Sequence, residues 1–504
     1  MQPQDKGQGF STADRVSDAP SNNSSNPELQ HSKGDSPVQS ERHAELAAAA
    51  VRRCDLILLP IVTFYYFLNF LDRANFGNAR AAGLQEDLGM TNHDYSVALT
   101  VTYVPYILAE YPIVLTIKKL GPNRVLPVLV MAWGLVTCLQ GLVTSYSGII
   151  AARFFLGACE GGLLPGIITY MSMFWVRHKM QLRVSVFFTA TSLAGAFAGL
   201  LAAGILNIKM ASRPSWAAIF FIEGGFTIFI GLVTIPFLPR SIQTCWWLSQ
   251  DQRDALEREQ EMDMAGESSN TDAGFSWTQV VKAFKSPQVF NVFVLLFLSG
   301  DTLYSLAYFS ASIVKSLGHD KIMTQLYTVP PYACAFVFSL ACAFVGDRYR
   351  CRGIIISGSF LIALAGYGLF YGSHDTDARY GALFLQIIGN FTFVPAISTW
   401  MANNSAPHTT KASAIAAGFV SSNCGGILSS WLYDDGPDYN KGTITGMVFC
   451  CVGLTFTAIN MGYLSWQNKK KEKKRAELEK EGVESDLSEI ARVGDKSPYF
   501  IYTL

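Results

Sequence analysis

Twelve stretches of mostly apolar residues divide this chain, and they leave one broad class of fold. A membrane-spanning helix needs about 20 such residues. The candidate spans are 56–77, 95–117, 125–145, 148–174, 184–206, 217–238, 289–314, 323–345, 353–372, 380–403, 412–433 and 443–466. A bilayer offers no water to backbone groups, so runs of this length cross it as helices. Composition agrees. Half of the 504 residues are hydrophobic and 15% are charged, against about 25% in a soluble protein. The net charge of zero gives no reason to expect a nucleic-acid partner. Ten cysteines are present, nearly all within spans, so no disulfide framework is expected.

Basic residues set the expected orientation. One set of loops holds Arg52, Arg53, Lys118, Lys119, Arg124, Arg177, Lys179, Arg183, Arg348, Arg350, Arg352, Lys411 and the run KKKEKKR at 469–475. The opposite set holds only Lys209, Arg213, Lys321, Lys441 and other scattered examples. The positive-inside rule then places both termini and the loop 239–288 in the cytoplasm. Residues 1–50 are rich in Ser, Asn, Pro and Gln and read as a disordered tail. Residues 467–504 form a second tail. No cleavable signal peptide is recognised at the start. Late in the loop 239–288, Trp277, Val280, Val281 and Phe284 share a helical face, which suggests an interfacial or a short capping helix.

The chain repeats itself at an offset of 225 or 226 residues. Pro105-Tyr106 recurs as Pro331-Tyr332, Gly121 as Gly346, and Ala152-Arg153 as Ala378-Arg379. Internal symmetry of this kind marks transporters built from two halves. The expected fold is therefore an all-α membrane protein. Its twelve transmembrane helices form two pseudo-symmetric six-helix halves, 51–238 and 289–466. In this register Glu160 maps onto Gln386, and Asp72 falls near Asp301. The first half holds most of the titratable groups. The second offers neutral polar ones: Gln386, Asn390, Asn423 and Gln325.

Charges inside apolar spans are functional-site candidates by default, because each costs roughly 2.5–3.5 kcal/mol at the centre of a lipid-exposed helix. In span 1, Asn69, Asp72, Arg73 and Phe76 recur at i, i+3, i+4 and i+7, one helical face. In span 4, Arg153 and Glu160 are seven apart and share a face, about 10 Å apart along the axis. Neighbours in sequence do not face each other on a helix, so Asp72 and Arg73 are expected to pair elsewhere. Two readings stand. One is a salt-bridge network that only fixes helix register. The other is proton coupling: burial favours the neutral form of a carboxyl group, and a nearby arginine favours the ionised form. An anion that takes the arginine then leaves the acid free to bind a proton.

Other intramembrane acids are Glu110, expected at a gate, Glu223, expected in helix packing or in capping a basic loop, and Asp301, a candidate second proton site. Tyr106 is a candidate substrate contact. Gly195, Gly199 and Gly204 of span 5 and Gly425-Gly426 of span 11 suggest close packing. Pro105, Pro165, Pro330, Pro331 and Pro395 suggest helix bends. All seven histidines lie outside the spans, so no intramembrane metal site is expected. No phosphate-binding loop, nucleophile elbow or zinc spacing occurs, which argues against an ATP-driven pump, an enzyme or a cofactor.

The architecture resembles the major facilitator superfamily. The strings FLDRANFGNARAAGLQEDLGM (70–90), YILAEYP (106–112), KKLGPNR (118–124), ARFFLGACEGGLLPG (152–166), PPYACAF (330–336) and SNCGGILSSWLYDDGPDY (422–439) resemble its anion:cation symporter branch. Within that branch they are most similar to the fungal allantoate and nicotinate permease-like group. The resemblance implies import of a small carboxylate or vitamin with protons across the plasma membrane. The carrier is expected to be monomeric and without cofactor. It implies proton acceptors at Asp72 and Glu160, an anion contact at Arg73, coupling through Arg153, and substrate contacts at Tyr106 and Asn423. Gln386 and Asn390 join them as polar candidates of the second half. Three departures fall mostly in that half: FSASI (309–313) lacks a usual proline, Ala412 follows Lys411 where Arg is usual, and Asp301 is unexpected. Two other functions remain open, export of a secondary metabolite by proton antiport and nutrient sensing without transport. Span 5 has no proline between 195 and 204, where antiporters of the superfamily usually carry Gly-Pro, which favours import.

Overall fold

A computed structural model describes residues 37–208, 213–265, 287–349, 351–404, 408–433, 438–480 and 497–504. Every span expected from sequence lies mainly in α-helix, although span 3 ends earlier than expected, at Gln140, and span 6 at Thr234. Spans 1 to 3 lie in Pro37–Ala81, Asn92–Leu120 and Pro122–Gln140. Spans 5 and 6 lie in Arg177–Ile205 and Ser215–Thr234, and spans 7 to 9 in Pro287–Ser316, Lys321–Tyr349 and Arg352–Gly372. Spans 10 to 12 lie in Thr376–Asn404, His408–Leu432 and Asn440–Lys480. By length and composition ten helices among the described residues can cross a membrane, with Ala190–Ile205 a shorter apolar helix. The segment with Trp277 and Phe284 lies outside the described residues.

Span 4 differs from the single helix expected over 148–174. It is two helices, Tyr146–Glu160 and Leu163–Ser172. Pro165 has no N–H to donate, and its ring opposes the carbonyl four residues back, so the ladder fails at Gly161-Gly162. Glu160 becomes the last residue of the first piece. That piece can approach span 2 closely because Gly157 and Gly161 face it. A β-carbon on either would overlap the backbone carbonyl of Thr102 or of Tyr106. Replacing Gly157 with valine is expected to push spans 2 and 4 apart. Overpacking of this kind costs about 1–3 kcal/mol, read as a lower unfolding midpoint in detergent. Gly195 and Gly199 likewise press on Tyr332 and Thr328 of span 8. Gly204 meets nothing within 4 Å, against the expectation of close packing there.

Helix neighbours repeat between the halves. Span 3 packs on span 6 as span 9 packs on span 12, and span 2 packs on span 4 as span 8 packs on span 10. Across the two halves, span 5 packs on span 8 and span 11 on span 2, the symmetric counterpart. This is the two-fold arrangement expected from the sequence repeat.

At the end remote from the basic loops, polar contacts join the halves. Gln325 Nε2 donates to the Asn78 carbonyl at 3.1 Å, and Thr100 and Ser430 hydroxyls lie 3.2 Å apart. Lys315 pairs with Glu86 at 3.1 Å. Partial burial raises the Glu86 carboxyl, but its own backbone N–H and Lys315 outweigh this and hold it below its usual range. A lowered acid stabilises the contact at neutral pH, and the gain is lost as pH falls through the carboxylate range. Glu86 is exposed, so the gain is small.

Candidate functional site

The charges of spans 1 and 4 are buried together, but they do not pair as two equivalent cross-links. Arg73 Nε lies 3.8 Å from Glu160 Oε2. Its guanidinium sits between two rings, 5.1 Å from the centroid of Tyr106 and 4.9 Å from that of Tyr304. Stacking of this kind suits the flat, weakly hydrated guanidinium. The cation is thus held by span 1, aromatic walls of spans 2 and 7, and an acid of span 4.

Asp72, one residue earlier, faces another way. Its Oδ2 accepts from Thr137 of span 3 at 2.6 Å, and its Oδ1 accepts from Asn75 at 3.4 Å. Asn75 also donates to Glu223 of span 6. Two buried carboxyl groups therefore share one amide. Glu223 thus ties span 6 to span 1, which fits the packing alternative of the sequence expectation rather than the capping of a basic loop. Helical spacing could have flagged it: Asp72 and Asn75 are three apart on span 1, but nothing local tells which helix they meet. Replacing Asn75 with leucine leaves both acids without this donor. An unmet buried polar group costs about 1–3 kcal/mol, to be seen as a lower midpoint in chemical unfolding.

Arg153 does not form an ion pair with Asp72. Its guanidinium lies 3.6 Å from the Phe76 ring centroid. Its Nε and Nη2 are buried without a hydrogen-bond partner, as is Glu160 Oε1. Burying a cation with open donors is costly unless something pairs with it.

A small cavity lies between these groups, about 10 Å³ in volume, lined by Arg73, Tyr106, Arg153, Glu160, Tyr103 and Tyr308 among others. That is room for about one water, so the site is contracted around its own side chains in this conformation. The Tyr103 and Tyr308 hydroxyls are 2.8 Å apart and close one side from opposite halves. The sequence reading missed Tyr103, Tyr304 and Tyr308. Their spacing, Tyr103 with Tyr106 and Tyr304 with Tyr308, is that of a helix face, a pattern most aromatic core residues share.

The second half contributes less than expected. Tyr304 brings Asn423 to the edge of the site, with its hydroxyl 3.5 Å from Asn423 Oδ1. Gln386 and Asn390 turn to span 9 instead. Gln386 Nε2 donates to the Gly366 carbonyl at 3.4 Å and Asn390 Nδ2 to the Tyr367 hydroxyl at 3.0 Å. Asp301 is buried, and its Oδ1 has no hydrogen-bond partner. It abuts Gly425 of span 11 and lies apart from the cavity lining. Glu110 is partly exposed and is likewise absent from that lining.

An all-helical bundle of two related halves with charges buried between them defines a membrane carrier, and comparison with known proteins identifies the family. The sequence profile of the Major Facilitator Superfamily matches residues 62–430. An uncharacterized transporter of Schizosaccharomyces pombe is 33% identical over 443 residues, covering 87% of this chain and 90% of the relative. The high-affinity nicotinic acid transporter of Saccharomyces cerevisiae is 27% identical over 476 residues, covering 93% and 87%. Among solved structures, a bacterial homologue of the human lysosomal transporter Spinster, in an inward-facing and unoccupied conformation, aligns with a TM-score of 0.63. It is 14% identical and covers 85% of this chain and 98% of its own, a likeness of fold alone. The chain belongs to the Major Facilitator Superfamily. It is a multi-pass membrane transporter of fungal permease type, not an enzyme.

Proposed function

We propose that this transporter imports a small organic anion together with protons, by alternating access, across the plasma membrane with both termini in the cytoplasm. The observation that carries the reading is the buried cavity in which Arg153 has two unpartnered donors beside Arg73 and an unpartnered oxygen of Glu160. Such a set is incomplete without an anion and a proton.

A carboxylate entering the cavity would accept from Arg153 and compete with Glu160 for Arg73. Charge-assisted bonds to arginine are the strong ones, and the planar fork suits a carboxylate. Glu160, losing its cation, would then bind a proton more readily. Asp72, hydrogen-bonded to Thr137 and Asn75 rather than ion-paired, is a second proton acceptor. With both charges neutralised the halves can reorient without carrying bare charge through an apolar interior. Tyr106 would stack on the substrate's ring or chain, and Asn423 would contact it through Tyr304. Asp301, buried with an unpartnered Oδ1, is a further proton acceptor. Gln386 and Asn390 would reach the substrate only after span 10 turns away from span 9.

Nicotinate-like monocarboxylates and ureide acids are the leading substrates. The likeness to a nicotinic acid transporter over most of both chains supports the first. With termini inside, the end joined by the Gln325–Asn78, Thr100–Ser430 and Lys315–Glu86 contacts is the extracellular one. The deciding experiment is uptake of labelled carboxylates in transporter-deficient yeast at two external pH values. Accumulation that rises at acid pH is expected. Efflux without uphill uptake would instead indicate an antiporter, and binding without flux a sensor.

A further inference from the structure

Far from the cavity, the segment Ser497–Leu504 lies against the basic ends of spans 10 and 12, and two asparagines grip consecutive residues of it. Asn404 Nδ2 donates to the Thr503 carbonyl at 2.9 Å, while Asn404 Oδ1 accepts from the Thr503 N–H at 2.8 Å and from its hydroxyl at 3.1 Å. Asn468 does the same one residue earlier. Its Nδ2 donates to the Tyr502 carbonyl at 2.9 Å and its Oδ1 accepts from the Tyr502 N–H at 2.9 Å. A side-chain amide has donor and acceptor side by side, so each asparagine reads a backbone as a neighbouring strand would.

Three more contacts complete the cradle. Trp400 Nε1 donates to the Thr503 carbonyl at 2.9 Å. Lys471 Nζ donates to the Phe500 carbonyl at 3.0 Å and stands 4.0 Å from the Tyr502 ring centroid. Phe500, Tyr502 and Leu504 pack on the apolar core of the second half, whereas Ile501 is 60% exposed. That alternation is the period of an extended chain. Asn404 is fully buried.

We propose that the basic ends of spans 10 and 12 form a binding site for an extended peptide with aromatic side chains at alternate positions. Residues 500–504 fill it in cis and strap the two helix ends together. Spans 10 and 12 each pack extensively on span 9, so the strap is a direct polar link between them. Neither residues 500–504 nor the side chains that hold them line the cavity, so the strap acts on the helix ends. The proposal does not depend on what is transported.

Hydrogen exchange on the full chain in lipid nanodiscs tests it. The Tyr502 and Thr503 amides should exchange on the order of 100-fold more slowly than in a free peptide of residues 497–504, since several bonds must open together. Thr503→Pro removes one N–H donor and lies outside every span, so the bundle still folds. It should return Tyr502 to the free-peptide rate and speed exchange of the last amides of span 10, 402–404. Thr503→Val keeps the backbone bonds and should remain protected. Free-peptide exchange in the unaltered chain would overturn the site. So would Tyr502 staying protected in Thr503→Pro. Release of the segment with no change at 402–404 would overturn the strap.

Discussion

Replacing Glu160 with glutamine, or Asp72 with asparagine, is expected to abolish uphill, pH-driven uptake while leaving exchange of substrate across the membrane. Each amide keeps the shape of the acid and cannot take up the coupled proton. Glu160→Gln also frees Arg73 from its acid partner at 3.8 Å, so anion binding should persist and lose its pH dependence. Asp72→Asn still accepts from Thr137 through its amide oxygen, so the packing of spans 1 and 3 should survive. The measurement is the accumulation ratio of labelled nicotinate in vesicles with an imposed pH gradient, beside counterflow in its absence. Full accumulation in both variants would falsify the proton roles. Loss of counterflow as well would point to misfolding, and is separated by the unfolding midpoint.

The second large effect is expected at Arg73. Lysine keeps the charge but not the planar fork, and it cannot lie flat between Tyr106 and Tyr304. Loss of a charged hydrogen bond costs about 1.5–3 kcal/mol, on the order of tenfold to hundredfold in KM. Maximal rate at saturating substrate should change much less, because the charge that balances the anion remains. An unchanged KM in Arg73→Lys would remove this side chain from the anion site. Lysine at Arg153 is expected to be milder for stacking, since Phe76 covers only one face there.

Much of the fold was legible because its signals are local. Span length, the basic bias of alternate loops and the repeat at 225–226 residues need no knowledge of neighbours. The capping box that starts span 2, with Thr91 accepting from the Asp94 N–H and Asp94 accepting in return, is equally local. Asp72, Arg73, Arg153 and Glu160 stood out because charge in an apolar run is rare. The break in span 4 could have been read from Gly161-Gly162 ahead of Pro165, a breaker cluster in one turn. Tyr304 and Tyr308 could not, because a buried aromatic residue looks the same whether it walls a cavity or fills a core.

The sequence by itself determined that this protein is a twelve-span membrane carrier, that span 1 and span 4 each carry one acid and one base within an apolar run, and that its two halves are related. Only the tertiary structure decided how those charges divide: Arg73 to Glu160 and the tyrosines, Asp72 to Thr137, Asn75 and Glu223, Arg153 to Phe76. It also decided that Gln386 and Asn390 face span 9, and that residues 500–504 dock between two distant asparagines. Helical periodicity fixes which residues share a face. Which other helix that face meets depends on the packing of helices far apart in sequence, where a turn of one residue, about 100°, exchanges one set of partners for another.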